Sequence, residues 1–156
     1  MIKIRKITPN DYKQAGDMIK RTIRASFKSL YPEKLIQAFC DKHDIDKFRQ
    51  VAKTVEFFVA EDQKTQKIVG IIGIKDDRLR RYFVDPNYQG KGVGRLLFDH
   101  LEVVAKKRGL QKITLEGSPL AQPIYKHFGF KIIKSITKER AGVKYTDAVM
   151  EKTLKS

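Results

Sequence analysis

The chain has no tryptophan and a single cysteine, Cys40, among its 156 residues. One thiol cannot form an internal disulfide, which excludes the class of small secreted domains held together by disulfides. Long apolar runs are also missing, since none approaches the ~20 residues that a membrane-spanning helix needs. The N-terminal stretch, Met-Ile-Lys-Ile-Arg-Lys, lacks the apolar centre of a signal peptide. We therefore expect a cytoplasmic protein with no membrane partner.

Metal-binding clusters and two common phosphate motifs are absent from the sequence as well. The three histidines, His43, His100 and His127, belong to no cluster with metal-ligand spacing, so we expect no metal site. The P-loop string Gly-x-x-x-x-Gly-Lys-Ser/Thr does not occur. Glycines alternate at positions 90, 92 and 94, which does not fit the Gly-x-Gly-x-x-Gly fingerprint of dinucleotide-binding folds.

Acidic residues are scarce relative to basic ones. There are 33 lysines and arginines against 18 aspartates and glutamates, and the formal net charge is +15. Such a charge attracts polyanions and mildly disfavours a polycationic substrate such as a polyamine. The basic residues are spread along the chain, however, and no RNA-binding motif occurs. A solvated, lysine-rich surface therefore explains the charge better than nucleic-acid binding, although an RNA partner remains compatible with it.

The most informative segment that is present runs from Val84 to Arg95. A strand-like run, Leu79 to Val84, leads into a glycine-rich turn, and a helical pattern of apolar residues follows at once. The first N–H groups of a helix have no intrahelical partner, and the helix dipole adds partial positive charge there. Glycines let an anion approach these donors closely. With Lys91 and Arg95 beside it, this turn is expected to bind a phosphate-bearing ligand.

Two motifs in this half of the chain resemble a known family. Gln89, Gly92 and Gly94 match the pattern Gln/Arg-x-x-Gly-x-Gly/Ala, which resembles the pyrophosphate-binding loop of the GNAT superfamily of acyl-CoA-dependent N-acetyltransferases. About thirty residues later, Ala121 and Tyr125 stand four apart in a short helical segment that ends in Gly-Phe, which resembles the second signature of that family. Both signatures occur in the family's order, and the order of the predicted elements fits the family over essentially the whole chain.

The resemblance and the apolar patterns together predict the fold. We expect residues 1–156 to form a single α/β (α+β) domain, with a twisted, mixed but mostly antiparallel sheet of six to seven strands and about four helices. The predicted strands cover residues 2–7, 55–61, 68–75, 79–84, 111–116, 130–136 and 146–154, and the last two form a hairpin that turns around residues 139–144. The resemblance implies that the fourth and fifth strands splay apart and admit the pantetheine arm. Residues 28–54, which shape the acceptor pocket in such enzymes, are the least informative part.

The resemblance also implies how acetyl-CoA is bound and used. It assigns the pyrophosphate to the main chain of residues 89–95 (Gln89, Gly90, Lys91, Gly92, Val93, Gly94 and Arg95), with Gln89, Lys91 and Arg95 adding side-chain contacts. Main-chain groups of Phe83 and Val84 are expected to pair with pantetheine, and Ser118 stands where many members carry a cofactor-binding Asn. Tyr125 matches the general acid. A phenol, with a pKa near ~10, is protonated at neutral pH and can donate to the departing thiolate.

The general base is the one functional group that the resemblance does not assign to a residue. Many members carry a carboxylate on the fourth strand, but here no acid lies between Asp77 and Asp85. Glu116 is the best remaining candidate, followed by a water relay, and a salt-bridged Glu116 is equally compatible. Arg80 and Arg81 are expected to face opposite sides of the strand, with one of them in the acceptor cleft. We therefore expect the acceptor to carry a carboxylate or phosphate besides its amine.

The sequence thus predicts an N-acetyltransferase that moves an acetyl group directly from acetyl-CoA to a primary amine of a small molecule or amino acid. Acetylation of a protein N-terminus, a lysine or an aminoacyl-tRNA is the first alternative. A non-catalytic CoA-binding regulatory module is the second. The acid-free fourth strand favours that module and Tyr125 opposes it. A homodimer is compatible with the sequence.

Overall fold

The computed structural model of the protein describes residues 1–155, which form a single seven-stranded sheet with helices on both faces. The strands are β1 (Ile2–Lys6), β2 (Glu56–Asp62), β3 (Lys67–Lys75), β4 (Arg78–Val84), β5 (Lys112–Gly117), β6 (Lys131–Arg140) and β7 (Val143–Thr153). The α-helices are α1 (Tyr12–Phe27), α2 (Glu33–Asp41), α3 (Ile45–Val51), α4 (Val93–Lys107) and α5 (Gln122–His127). None of these helices combines the length and the apolarity that a bilayer span requires.

The sheet is mixed but mostly antiparallel, as predicted. Its strand order is β1-β2-β3-β4-β5-β7-β6, and only the β4–β5 pair is parallel. The apolar run Ile-Val-Gly-Ile-Ile-Gly-Ile makes β3 a strand whose residues from Ile68 to Ile74 are all buried. A strand covered on both faces reads as such a continuous run rather than an alternating one. The sheet therefore separates two hydrophobic cores.

Each core is formed by the apolar face of a different set of helices. The spacing of Val93, Leu97, Leu101 and Ala105 gives α4 one apolar stripe, which packs on one face of the sheet. On the other face α1, α2 and α3 bury a second set of apolar side chains, which includes Met18, Ile19, Ile36 and Phe48. The N-terminus of α4 and the segment from α2 to α3 consequently lie on opposite faces of the sheet.

The middle of the sheet is open, as the family resemblance implies. β4 and β5 pair only at Arg78 and Thr114, next to a hydrogen bond from Thr114 N to Asp77 O of 2.8 Å. Past that pair the two strands diverge, so the edge of β4 up to Val84 is not paired with β5 up to Gly117. The opening joins the α4 face to the α1–α3 face.

A β-bulge in β4 overturns one expectation about the arginines. Arg80 pairs with Gly73 and Phe83 with Ile71, so Arg81 and Tyr82 together oppose Ile72 alone, and Arg81 has a φ of 52°. Such a bulge interrupts the side-chain alternation of a strand. Leu79 and Tyr82, on either side of the two arginines, both pack in the α4 core, and Arg81 contacts Phe48 on the other face. Arg80 and Arg81 therefore both point to the α1–α3 face, and the prediction that they face opposite sides of the strand is wrong.

The last hairpin is longer than predicted. β6 and β7 stay paired up to Arg140 and Val143, so the connection is the two residues Ala141 and Gly142 rather than a turn spanning residues 139–144. Both turn residues have positive φ, 53° and 74°, as a type I′ turn requires. Alanine rarely adopts that conformation, and the sequence Ala-Gly is therefore a weak turn signal.

Candidate active site

The glycine-rich loop between β4 and α4 is fixed at its start by buried polar contacts. Asp85, which is 6% exposed, accepts hydrogen bonds from Asn87 N at 2.9 Å and from Arg21 Nη2 at 2.7 Å. Tyr88 donates to Asp62 Oδ2 at 2.5 Å. These contacts tie residues 85–88 to α1 and β2. The loop that follows is therefore attached to a rigid frame.

The loop itself presents main-chain donors. Within residues 1–155 no hydrogen-bond acceptor is found for the N–H groups of residues 89–95, whereas Leu96 N already donates to Gly92 O at 3.1 Å. Gly90 and Gly92 have φ values of 77° and 84°, a conformation that turns the chain into the N-terminus of α4. Free amides and the helix dipole together make a site for an anion. This is the arrangement that the sequence predicts for the pyrophosphate.

Side chains of the loop differ in where they point. Gln89, Gly90 and Gly94 line the central cleft, whereas Val93 is buried in the α4 core and can contribute only its N–H. Gln89 Nε2 donates to Val84 O at 3.0 Å, at the end of the unpaired edge of β4. Outside the cleft lining, Lys91 Nζ lies 5.2 Å from the ring centre of Tyr88. Arg95, also outside it, stacks over Phe128 at 4.9 Å.

The central cleft has a volume of about 1230 Å³ and passes through the opening between β4 and β5. On the α4 face its lining includes Tyr82, Ser118, Ala121 and Tyr125. On the α1–α3 face it includes a cluster of aromatic rings whose centres lie 5.2–6.0 Å apart: Phe27, Tyr31, Phe39 and Tyr145. The cleft is large enough for a nucleotide-bearing ligand and a second, small molecule.

Tyr125 lies on the α4 side of the cleft, where its ring belongs to the core formed by α4. Its ring packs 5.7 Å from Phe130 and 6.2 Å from Tyr82, and it is 8% exposed. The hydroxyl makes no hydrogen bond within the described part of the chain, and burial raises the pKa of Tyr125 above that of a free phenol. Gly117 leaves room for the ring, since a Cβ at that position would lie 3.3 Å from Tyr125 Cδ2. Tyr125 is therefore a protonated phenol that faces the cleft without an internal partner.

The start of α5 positions Tyr125, and Ser118 accepts hydrogen bonds within this turn. Ala121 N donates to Ser118 O at 3.0 Å and Tyr125 N donates to Ala121 O at 3.1 Å, which forms the first turn of the helix. Ser118 Oγ also accepts a weak bond from Ala121 N at 3.4 Å. Gln122 Nε2 donates to Gly117 O at 3.0 Å, so it ties the helix to the end of β5.

Glu116 is held by two cations. It forms ion pairs with Arg78 of β4 and Lys138 of β6. Burial alone would raise the pKa of Glu116, but Lys138 and Arg78 outweigh it and lower that pKa below the ordinary value. A carboxylate with a lowered pKa binds a proton weakly, so this environment weakens Glu116 as a general base.

Two further titratable residues that the sequence did not single out as candidate general bases also line the cleft. Asp147 on β7 has no ion pair or hydrogen bond in the part of the chain that the structure describes, and burial raises the pKa of its carboxyl. His43 packs edge-on against Phe83 at 5.9 Å, and burial with nearby Arg81 and Lys42 lowers its pKa to about 2. Asp147 falls in a strand predicted only as part of the closing hairpin. Its nearness to Glu116 depends on the β5–β7 pairing, which no local pattern reveals.

Basic side chains dominate the α1–α3 side of the cleft. Arg81 Nη2 donates to Lys42 O at 3.1 Å, and the Arg81 guanidinium lies 5.3 Å from the ring centre of Phe48. Arg80 lines the same wall and has no carboxylate partner among the described residues. Burial lowers the pKa of both arginines, that of Arg81 to about 10, and burial with the nearby cations lowers the pKa of Lys42 to about 8.

The sequence and the fold match those of known acetyltransferases. A family profile described as an acetyltransferase (GNAT) domain matches residues 23–154. The uncharacterized N-acetyltransferase YafP of Escherichia coli is 26% identical over 149 residues, which cover 96% of this chain and 94% of YafP. A GCN5-related N-acetyltransferase from Rhodopseudomonas palustris superposes with a TM-score of 0.90 at 25% identity, and the match covers 97% of this chain and 95% of that one.

A third comparison shows the same fold in a complex with coenzyme A. The PaiA N-acetyltransferase from Thermoplasma acidophilum, crystallised with coenzyme A, superposes with a TM-score of 0.80 at 21% identity, and the match covers 98% of this chain and 99% of that one. The roles predicted for individual site residues are not tested by these comparisons and stay predictions. The matched domain, by contrast, spans most of the sequence. The chain therefore belongs to the GNAT superfamily of acyl-CoA-dependent N-acetyltransferases, and it is an acetyltransferase.

Proposed function

We propose that the protein transfers an acetyl group from acetyl-CoA to a primary amine of a small molecule or an amino acid, in the cytoplasm. The observation that carries this proposal is the continuity of one cleft. It connects the glycine-rich loop to the Tyr125 hydroxyl and then to the acceptor side through the split between β4 and β5. A thioester and an amine could therefore meet in the opening of the sheet.

The residues present fit coenzyme A. Free N–H groups of residues 89–95 would hold its pyrophosphate, and the unpaired edge of β4 near Phe83 and Val84 would hold pantetheine in strand fashion. Acetyl-CoA, when bound, supplies an acetyl thioester whose departing thiolate needs a proton. Tyr125 would hold that proton, because its phenol stays protonated at neutral pH and its hydroxyl has no competing internal partner.

A carboxylate on the acceptor side would take the proton from the amine. Glu116 is the candidate predicted from sequence, but its two ion pairs lower its proton affinity. Asp147 is the better base on physical grounds, since its pKa is raised and it has no ion pair within residues 1–155. Glu116 pairs with Val149 across the strands. Asp147 is therefore its diagonal neighbour on the same face, ~7–8 Å away.

The activity is tested by measuring release of the free thiol of CoA from acetyl-CoA with a panel of amines. We expect turnover with at least one primary amine, and a drop of about 10²-fold or more in kcat for Asp147→Asn. Glu116→Gln is the matched comparison, because it removes a neighbouring carboxylate from the same face. We expect it to lower kcat by about tenfold or less and to leave the pH profile in place.

A different pattern would contradict the proposal. If the wild type binds acetyl-CoA by calorimetry and acetylates no amine across a broad panel, a regulatory CoA-binding role replaces it. If Glu116→Gln abolishes turnover and Asp147→Asn does not, the base is Glu116 and the assignment of Asp147 is wrong.

A further inference from the structure

We propose that the acceptor is an amine that also carries a carboxylate or a phosphate, and that Arg80 and Arg81 bind this anionic group on the α1–α3 side of the cleft. This inference rests on the proposed function, because it names the class of acceptor that the same cleft receives. It extends the expectation drawn from the arginines of the fourth strand.

Arg80 is a charge without a partner among residues 1–155. Its side chain is half-buried in the cleft wall, and no carboxylate or hydrogen-bond acceptor is found for it in the part of the chain that the structure describes. Removing a guanidinium from water without pairing it is unfavourable, and a bound anion restores the lost interactions. Arg78 and Lys138 differ in this respect, since both form ion pairs with Glu116.

Arg81 contributes a second unused donor. Its Nη2 is engaged by Lys42 O at 3.1 Å, but Nη1 is buried and has no acceptor within residues 1–155. The bulge at this position brings Arg81 onto the same wall as Arg80. Two adjacent guanidinium groups with free N–H donors fit the oxygens of a carboxylate or phosphate, which arginine binds through paired hydrogen bonds.

The charge balance of the cleft points the same way. Six basic side chains, Lys42, Lys47, Arg78, Arg80, Arg81 and Lys138, line it against two carboxylates, Glu116 and Asp147. Even with both carboxylates ionised, the basic side chains in the lining outnumber them six to two. An excess of cations inside a concave site raises the local concentration of anionic ligands and repels purely cationic ones.

The phosphates of CoA do not account for this cluster. The glycine-rich loop begins after Val84, and Arg80 lies four residues earlier on β4, which corresponds to ~13 Å along the strand. Arg81 contacts Phe48 and Lys42 on the α1–α3 face, whereas α4, whose N-terminus would hold the pyrophosphate, lies on the opposite face. The anion site and the loop are therefore separate parts of one cleft.

The geometry also leaves a place for the amine. Ala148 and Met150 of β7 pack in the α4 core, so Asp147 points to the α1–α3 face, as the arginines do. One ligand can therefore place its anionic group on Arg80 and Arg81 and its amine toward the carboxylate. Such an acceptor is a zwitterion. The arrangement selects against amines that lack an anion, because those would leave Arg80 unpaired.

The experiment compares acceptors that differ only in the anion. Phenylalanine is paired with phenethylamine, and O-phosphoethanolamine with ethanolamine, so the two pairs separate a carboxylate from a phosphate. We expect one anionic member to have a kcat/KM at least about tenfold above that of its neutral partner. In Arg80→Gln its KM should rise about 10- to 100-fold, while the KM of the neutral amine stays within about twofold.

A binding measurement provides a readout that does not depend on turnover. Inorganic phosphate and acetate are titrated by calorimetry into protein saturated with CoA, so that the glycine-rich loop is already occupied. We expect one of these anions to bind the wild type, and Arg80→Gln to weaken it about 10-fold or more. Lys107→Gln is the matched control, because it removes the same charge from an exposed residue at the end of α4. It should change neither KM nor anion binding by more than about twofold.

The outcomes separate this inference from the proposed function. Equal use of anionic and neutral amines, with no effect of Arg80→Gln on either, overturns the anion site and leaves acetyl transfer intact. If no amine is acetylated but phosphate or acetate binds through Arg80, the anion site is supported and the proposed transfer fails.

Discussion

Tyr125→Phe separates catalysis from stability in this protein. The substitution removes only the hydroxyl and keeps the ring, whose packing against Phe130 and Tyr82 fixes the position of α5. The hydroxyl makes no hydrogen bond in the described residues, so its removal breaks no internal contact. We expect the variant to fold as the wild type does and to lose the proton that the departing thiolate needs.

The magnitudes of the two effects differ widely. Loss of a positioned general acid costs about 10² to 10⁴ in kcat, or about 3–5 kcal/mol of transition-state stabilisation. Removal of a buried polar group that has no partner changes the free energy of unfolding by about 1 kcal/mol or less, and can raise it. The KM for acetyl-CoA should stay within about twofold, because the loop amides that bind pyrophosphate are untouched.

The assay follows free thiol release at saturating acceptor, with thermal unfolding measured on the same samples. Since burial raises the pKa of Tyr125, the wild type should show no loss of activity from deprotonation of this phenol up to pH ~10. A Tyr125→Phe variant with unchanged kcat, or one with a lowered Tm and a proportionate loss of folded protein, would refute the general-acid role and leave Tyr125 as a packing residue.

Three further predictions follow from single positions. Gly92→Ala should raise the KM for acetyl-CoA and lower the free energy of unfolding by ~1–2 kcal/mol, because alanine is strained at a φ of 84°. Gly109→Ala is the control, because its φ is 77° and it is equally free of contacts. It should lower the free energy of unfolding by the same amount and leave KM unchanged. Gly117→Ala should cost more transition-state stabilisation, seen in kcat, than free energy of unfolding, because its Cβ would lie 3.3 Å from Tyr125 Cδ2 and displace the ring. An unchanged kcat would contradict this. Lys42→Met should stabilise the fold by ~1 kcal/mol at pH 7, since the folded-state pKa of Lys42 of about 8 lies below its ordinary value of 10.5 and partial exposure limits the penalty on the charged form. That gain in the free energy of unfolding should fade between pH 8 and 10.5. A gain that grows with pH would contradict the conclusion that the fold disfavours the charged form of Lys42.

The glycine-rich loop was predictable because its determinants are local. A strand, a turn with three glycines and an amphipathic helix follow one another within thirty residues, and each can be read from hydrophobic periodicity and glycine positions. The same holds for Ala121 and Tyr125, whose four-residue spacing is that of one helical turn. Family and fold could be predicted from these segments for that reason.

The proposed acceptor site was less predictable because it is assembled from distant segments. Arg81 acquires its direction from a bulge, and nothing in Leu-Arg-Arg-Tyr-Phe marks which residue takes the positive φ. Glu116 meets Lys138 only because β7 lies between β5 and β6 in the sheet. The sequence alone could identify Glu116 as a carboxylate near the end of a strand, but it could not show that this carboxylate forms ion pairs with two cations.

The cationic acceptor side also bears on the missing carboxylate of the fourth strand. A free alkyl amine with a pKa of ~10.4 is neutral in about one molecule in 2,500 at pH 7. Lys42 already shows what this cleft does to an ammonium, because burial and the cations Arg140, Lys138, Arg81 and Arg80 lower its pKa to about 8. An acceptor amine subject to the same shift would be neutral in roughly one molecule in ten, a gain of about two hundredfold. If the proposed acceptor site acts on an amine as it acts on Lys42, burial first and the surrounding cations second would favour the neutral, reactive amine, and the carboxylate of Asp147 would receive the last proton as the new bond forms.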